Sequence, residues 1–288
     1  MTGDWTLDCG PDGTILFGPQ QSGYPFAIAP EIGDPERTLQ DSNLPGVDGA
    51  TFGVDTLGGQ TIAFGLTAVG DTDDEARALY DAFRRTWRAD TIRSTPGKLA
   101  TLTHPSGRSV LGRPRRITPT FFPTDGAAIG ITADFATADD LWYGDEDFIT
   151  VPFALSQGGG FVFPMRFPMV SRGYTTAANT FVVGGARSTW PVVTIRGPIL
   201  NPVVEVPGAF QFAAATSLAY DEYLTIDARP GIRSVTRNGD RSAALTRAST
   251  LLPAASLPVG AHTMTLSGSS STGTPTARLT WRTAFTTP

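Results

Sequence analysis

The chain has 288 residues, of which 40% are apolar and 17% charged, with 32 glycines and 23 prolines. That is enough for two domains with a sizeable buried core, and too apolar for a disordered tract. A net charge of −5 argues against a general nucleic-acid binder, and the single cysteine, Cys9, excludes an intrachain disulfide framework.

The first residues, DWTLDCGPDGTILFGPQ, hold two short β-like runs around a Gly-Pro-Asp-Gly turn. In TFGVDTLGGQTIAFGLTAV we expect a strand, a turn at Leu57-Gly58-Gly59 and a second strand. Ile62, Phe64 and Leu66 alternate with Thr61, Ala63 and Gly65, so the apolar set faces one side. A helix is expected near 73–89. Thr72 and Glu75 have capping-box spacing, and Ala76, Leu79, Tyr80, Phe83 and Trp87 share one helical face. Arg84, Arg85 and Arg88 suit the negative end of its dipole. A hairpin turning at Ser106-Gly107 follows, then a strand and an acidic segment that closes the first domain.

We expect a boundary near 145–152, giving domains 1–148 and 149–288. The second domain has strand-like runs at 180–184, 191–196, 202–207, 222–228, 232–237, 261–267 and 275–283. Such spacing indicates an antiparallel sandwich or jelly roll, so the fold class is mainly β.

Chemistry-bearing constellations are sparse. Only His104 and His262 are present, and no HExxH, CxxC, GxSxG or Walker sequence occurs. Gly158-Gly159-Gly160 lacks the Lys-Ser/Thr partner of a phosphate loop. Asp139-Asp140 and Asp145-Glu146-Asp147 are the densest acidic groups and read as solvated loops, off the spacing of a calcium loop. In YLTIDARPGIRSVTRNGD, Asp227 and Arg229 stand at a corner between two strands and read as turn-fastening residues. The expectation is no enzyme, no cofactor and no metal. No apolar run reaches the length of a membrane span, and MTGDWTLDCG lacks a basic–apolar signal pattern, so neither membrane insertion nor export is expected.

Charge is segregated. Residues 1–76 hold 13 acids and one base, Arg37, whereas residues 77–116 hold 10 bases and two acids. Either these are solvated faces of one domain, or they meet across a subunit boundary, where opposite charges set register.

DPERTLQDSNLPGVDGATFGVDTLGGQTIAFGL, the capped helix, WRADTIRSTPGKLATL, GRPRRI, ADDLWYGDE, TWPVVTIRGPILNPVV, YLTIDARPGIRSVTRNGD and LTWRTA, in that order, resemble the distal tail proteins (Dit-like minor tail proteins) of long non-contractile-tailed bacteriophages. The resemblance implies an N-terminal β-barrel-like domain with one helix and a C-terminal galectin-like β-sandwich. It implies a homo-hexameric ring at the virion tail tip, folded in the host cytoplasm before assembly. The partners implied are the tail-tube protein, the tail hub, the tape measure protein and receptor-binding or other baseplate proteins. DNA would pass through the lumen without stable binding. A heterologous ring interface needs two unlike patches. Candidates are Arg84, Arg85, Arg113, Arg115 and Arg116 on the basic side and Asp48 and Asp55 on the acidic side. The alternative is a carbohydrate-binding module, with Trp142, Tyr143 and Tyr220 as candidate sugar contacts, although no galectin-type His-Asn-Arg set is present.

Overall fold

A computed structural model describes residues 3–43, 45, 46, 48–122, 127–153, 179–270, 272 and 274–288. The Gly158-Gly159-Gly160 loop lies outside the described residues. The chain divides into two compact units, Met1–Gly144 with Phe285–Pro288, and Asp145–Ala284.

The first unit is built on an antiparallel ribbon. Its strands run in the order Thr14–Phe17, Trp5–Asp8, Ala100–Thr103, Ser109–Phe121, Ala128–Thr137, Thr61–Val69 and Phe26–Ile32. Alternation decides which side is inward: Ile62, Phe64, Leu66 and Ala68 are buried, and Phe64 and Leu66 lie in register with buried Ala133 and Ile131. The long strand Ser109–Phe121 bends the ribbon. One edge pairs with Ala100–Thr103 across the expected Ser106-Gly107 hairpin, while from Gly112 onward the other edge pairs with Ala128–Thr137.

Helix α1, Asp73–Arg88, closes over the inner face. Thr72 Oγ1 accepts from Glu75 N at 3.2 Å, and Glu75 reaches back to Asp71 N at 2.9 Å, one residue beyond the usual reciprocal bond. Its buried face, Ala76, Tyr80, Phe83 and Trp87, meets Phe17 and Phe64 from the strands. Phe83 stacks on Trp87 at 5.3 Å and Phe17 stands edge-on to Phe64 at 5.1 Å, both favourable quadrupole arrangements. α1 stops at Ala89, which is left-handed at φ 45°, and a second, short helix α2, Asp90–Ser94, begins there. No apolar periodicity announces α2, because it is held by a distant group: the Asp12 carboxylate accepts from Thr91 N at 3.0 Å and from Thr91 Oγ1 at 2.8 Å.

A correction concerns residues 51–57, which do not fold back on Thr61–Val69. Thr56–Leu57 pairs instead with Arg37–Thr38, and Ser42 bridges Thr51. The turn at Gly58-Gly59 is not free to reverse the chain, because Gly59 is pressed against Thr137; a Cβ at Gly59 would lie 2.0 Å from the Thr137 carbonyl oxygen.

In the second unit one sheet runs Arg241–Ser242, Ser234–Arg237, Tyr223–Asp227, Val192–Arg196, Thr276–Phe285 and then Trp142–Pro152. A second sheet centres on Ile199–Val206, flanked by Phe210–Ala213, Ser217–Leu218 and Thr265–Ser269. Their shared core includes Val193, Ile195, Val204, Phe212, Leu224, Ile226 and Leu279, the arrangement of a β-sandwich. Thr180–Val183 pairs with Gly260–Thr263. The run expected as one strand at 261–267 is two, Gly260–Thr263 and Thr265–Ser269, divided at buried Met264, whose N–H donates to Asn179 O at 3.0 Å. Asp145, Glu146 and Asp147 are exposed strand residues of Trp142–Pro152 rather than a loop.

Candidate functional site

The excursion between Ile32 and Thr61 forms an arm with a fixed root. Gly33 N donates to Thr61 O at 2.9 Å, Gly58 N to Glu36 O at 2.7 Å and Thr137 N to Gln60 O at 2.9 Å. The Gln60 amide, turned to satisfy both neighbours, donates to Gly33 O and accepts from Trp142 Nε1, each at 3.2 Å. Further out, Ser42 and Thr51 exchange backbone bonds of 3.0 and 2.9 Å, and Asp41 accepts from Gly53 N at 3.2 Å. The two legs approach so closely that a Cβ at Gly53 would sit 2.1 Å from Gln40 O, which only glycine permits. Side chains on this arm are left in the open: Phe52 is 82% exposed, Val54 77%, Leu39 61% and Leu57 48%. Asp34, Glu36, Asp41, Asp48 and Asp55 are also exposed, against one arm base, Arg37.

The basic residues form the opposite kind of surface. In Ser109–Phe121 the register slips between Pro114, paired with Phe135, and Ile117, paired with Ala133. Arg115 and Arg116 thus oppose the single residue Asp134, and this β-bulge leaves both arginines exposed. Beside them, Arg84 and Arg88 at the end of α1 and Arg93 on α2 complete a cleft of about 520 Å³, floored by Trp87, Pro114 and Ile117. Among the described residues Asp90 answers part of this charge, at 3.3 Å from Arg88 and 3.7 Å from Arg93. Arg84, Arg115 and Arg116 form no ion pair among the described residues. Trp87 Nε1 is buried without a hydrogen-bond partner among the described residues.

The structure sorts the sequence candidates. Arg84, Arg115 and Arg116 come together in the cleft, and Arg85 lines an adjoining shallower hollow with Asp81 and Asp90. Arg113 does not join them; it is committed to its own fold, donating from Nε to Lys98 O and from Nη2 to Thr95 O, both at 2.9 Å. Asp48 and Asp55 stand exposed on the arm. Arg88 reads in sequence as a helix-end charge, and Arg93 belongs to the unannounced α2, so their part in the cleft emerges only in three dimensions. The exposed Phe52 and Val54 carry no such signal either, because TFGVDTL alternates as a half-buried strand does.

The aromatic candidates separate in the same way. Trp142 is 1% exposed, its ring edge-on to Trp5 at 6.1 Å and His104 at 5.8 Å. Tyr143 is buried and its hydroxyl donates to Asp139. Neither ring offers a face to a sugar, which corrects both as glycan contacts. Tyr220 is 79% exposed. Asp139 is held high by this environment, at about 6, because burial outweighs the Tyr143 hydrogen bond.

Several other titratable groups make contacts within their own unit. Arg229 grips Asp227 through Nη2 at 2.6 Å and Nε at 3.0 Å, while the Arg229 N–H donates to the same carboxylate at 3.0 Å. His104 Nδ1 lies 2.9 Å from Ser106 Oγ in the hairpin turn, and burial lowers its pKa, helped by the positive charge of Arg108. His262 Nε2 is 2.7 Å from Pro258 O. Burial, then Asp12 and Asp8, push the Cys9 thiol up to about 12. Among the described residues no three His, Cys, Asp or Glu gather as a metal site would require, and no helix is long and apolar enough to cross a membrane.

The fold of this chain is similar to that of several solved structures of phage proteins. Solved structures that share it include the Dit protein of SPP1, described as a paradigm of the hub adsorption apparatus of phages that infect Gram-positive bacteria. That structure is 13% identical, with a TM-score of 0.56 over 98% of this chain and 99% of that one. The phage P2 baseplate in its activated conformation with Ca is 14% identical, with a TM-score of 0.56 and 98% of each chain covered. The same baseplate with Sr is 14% identical, with a TM-score of 0.53 over 96% of this chain and 97% of that one. No protein-family model matches the sequence, and no curated protein matches it.

Proposed function

We propose that the chain is a structural protein of a phage tail tip rather than an enzyme. In this reading six copies close a ring that joins the tail tube to the baseplate or tail hub. The observation that carries it is the end-to-end likeness of fold, which takes in both units of this chain and nearly all of the SPP1 Dit protein. The ring would contact the tail-tube protein and the hub, lie near the tape measure protein and carry receptor-binding or other baseplate proteins. DNA would pass through its lumen during ejection, and the acidic balance of the chain favours passage over retention.

The surfaces of the first unit support the reading. Closed cyclic symmetry needs two unlike patches per subunit, and an exposed acidic arm and an arginine cleft are two such patches. The test is the solution mass of the purified chain with electron microscopy, alone and after addition of tail-tube and hub proteins. Six-fold rings with a central hole are expected in at least the mixed sample. A chain that stays monomeric beside both partners and binds neither would overturn the reading. Attachment to cell-wall glycans without any ring would favour a carbohydrate-binding module, with exposed Tyr220 as its first residue to change.

A further inference from the structure

The arm has a clamped root, legs in close contact and a bare surface. Its legs pair at Arg37–Thr38 with Thr56–Leu57 and bridge again at Ser42 and Thr51. Four large apolar side chains along it remain open to solvent, Phe52 and Val54 most of all. An element with so much exposed apolar surface gains free energy only when something covers it. Its five carboxylates against one arginine set the chemistry of that cover: a basic surface with apolar floor.

The same chain carries such a surface. The cleft of Arg84, Arg88, Arg93, Arg115 and Arg116 is also lined by half-buried Ile117, and three of its guanidiniums have no anion of their own among the described residues. Like charges gathered this closely repel, and an incoming carboxylate-rich segment relieves that repulsion. We propose that the arm of one copy, residues 33–58, seats in the arginine cleft of a second copy. This rests on the ring reading and names its contact: the acidic side chains of the arm answer Arg84, Arg115 and Arg116, and Phe52 and Val54 pack on Ile117 and the aliphatic stems of the arginines. Arm and cleft are different patches of one chain, so the contact is head to tail and propagates from copy to copy until a ring closes. Arg113 has no part in it, being held to Lys98 and Thr95 of its own chain.

The contact can be trapped chemically. One full-length variant carries Val54→Cys and a differently tagged one Arg116→Cys; Cys9 is buried and silent in both. After mixing and mild oxidation, a disulfide-linked heterodimer is expected, well above the homodimers of either variant. Adding Arg84→Glu and Arg115→Glu to the cleft partner should lower its yield about tenfold, and Asp48→Arg with Asp55→Arg on the arm partner should restore much of it. Loss without recovery, or equal yields of all dimers, overturns the contact. Rings seen by microscopy without the heterodimer overturn the contact and leave the ring reading standing; neither rings nor heterodimer, with tail-tube and hub proteins present, removes both. A duplex DNA oligonucleotide that binds the cleft at physiological salt and abolishes the cross-link would assign the cleft to a polyanion instead.

Discussion

The corner at Asp227 and Arg229 and the pair of surfaces formed by the arm and the arginine cleft are both charge-rich, yet they differ in one physical respect. At the corner every strong charge meets its opposite within the turn: Arg229 closes on Asp227 through its side chain and its backbone N–H. In the first unit, Arg84, Arg115 and Arg116 have no such answer among the described residues, and the arm holds its carboxylates beside bare Phe52 and Val54. Satisfied charge marks a place where the chain has finished folding. Charge without a counterpart, next to exposed apolar surface, marks a place made to meet something else.

That contrast can be broken most forcefully with aromatics. Phe83→Ala in the core should destabilise the first unit by about 3–5 kcal/mol, whereas Phe52→Ala on the arm should leave the isolated subunit within about 0.5 kcal/mol of the parent. Urea unfolding followed by tryptophan fluorescence measures both, and a large loss from Phe52→Ala would mean that the arm is part of the fold.

The next effect is set by pH. In the folded state Asp139 titrates at about 6 rather than 3.8, so the folded chain holds a proton that the unfolded chain has lost between these values. Its contribution is therefore fully present below about pH 4 and falls away as pH rises through about 6. Asp139→Asn, which stays neutral, should erase that part of the slope and gain up to about 3 kcal/mol relative to the parent at pH 7.5. Thermal unfolding of both proteins from pH 4 to 8 gives the difference curve; a flat difference would mean that Asp139 is more solvated than its surroundings indicate.

Smaller losses sharpen the distinction between satisfied and unsatisfied charge. Asp227→Ala removes the acceptor of a tight, partly buried corner and should cost the second unit about 1–3 kcal/mol without touching assembly. Arg113→Ala, which loses bonds to two backbone carbonyls, should cost about 1–2 kcal/mol in the first unit, against nearly nothing for Arg115→Ala. Calorimetry on the three variants would rank them, and equal effects at Arg113 and Arg115 would undo the claim that one serves the fold and the other does not.

Much of this architecture is legible in residue order. The face of Ala76, Tyr80, Phe83 and Trp87, the Thr72 cap, the Ser106-Gly107 hairpin and most strands of the sandwich follow from periodicity and turn chemistry, which act over a few neighbours. The Asp227–Arg229 corner is readable for the same reason. Trp142 and Tyr143 are not, because an aromatic in an alternating run can face either way until its neighbours from distant strands, here Trp5, His104 and Asp139, are in place.

What the sequence alone determined is therefore the mainly β class, the capped helix, the turn-locked corner and the segregation of acidic from basic chain, all properties of local spacing and composition. Only the tertiary structure decided that residues 33–58 leave the sheet as an arm, that a bulge turns Arg115 and Arg116 outward beside Arg84, Arg88 and Arg93, and that Arg113 stays with its own backbone. Those outcomes depend on register between strands far apart in sequence and on which charges find a partner within the chain, and neither is set until the chain has closed on itself.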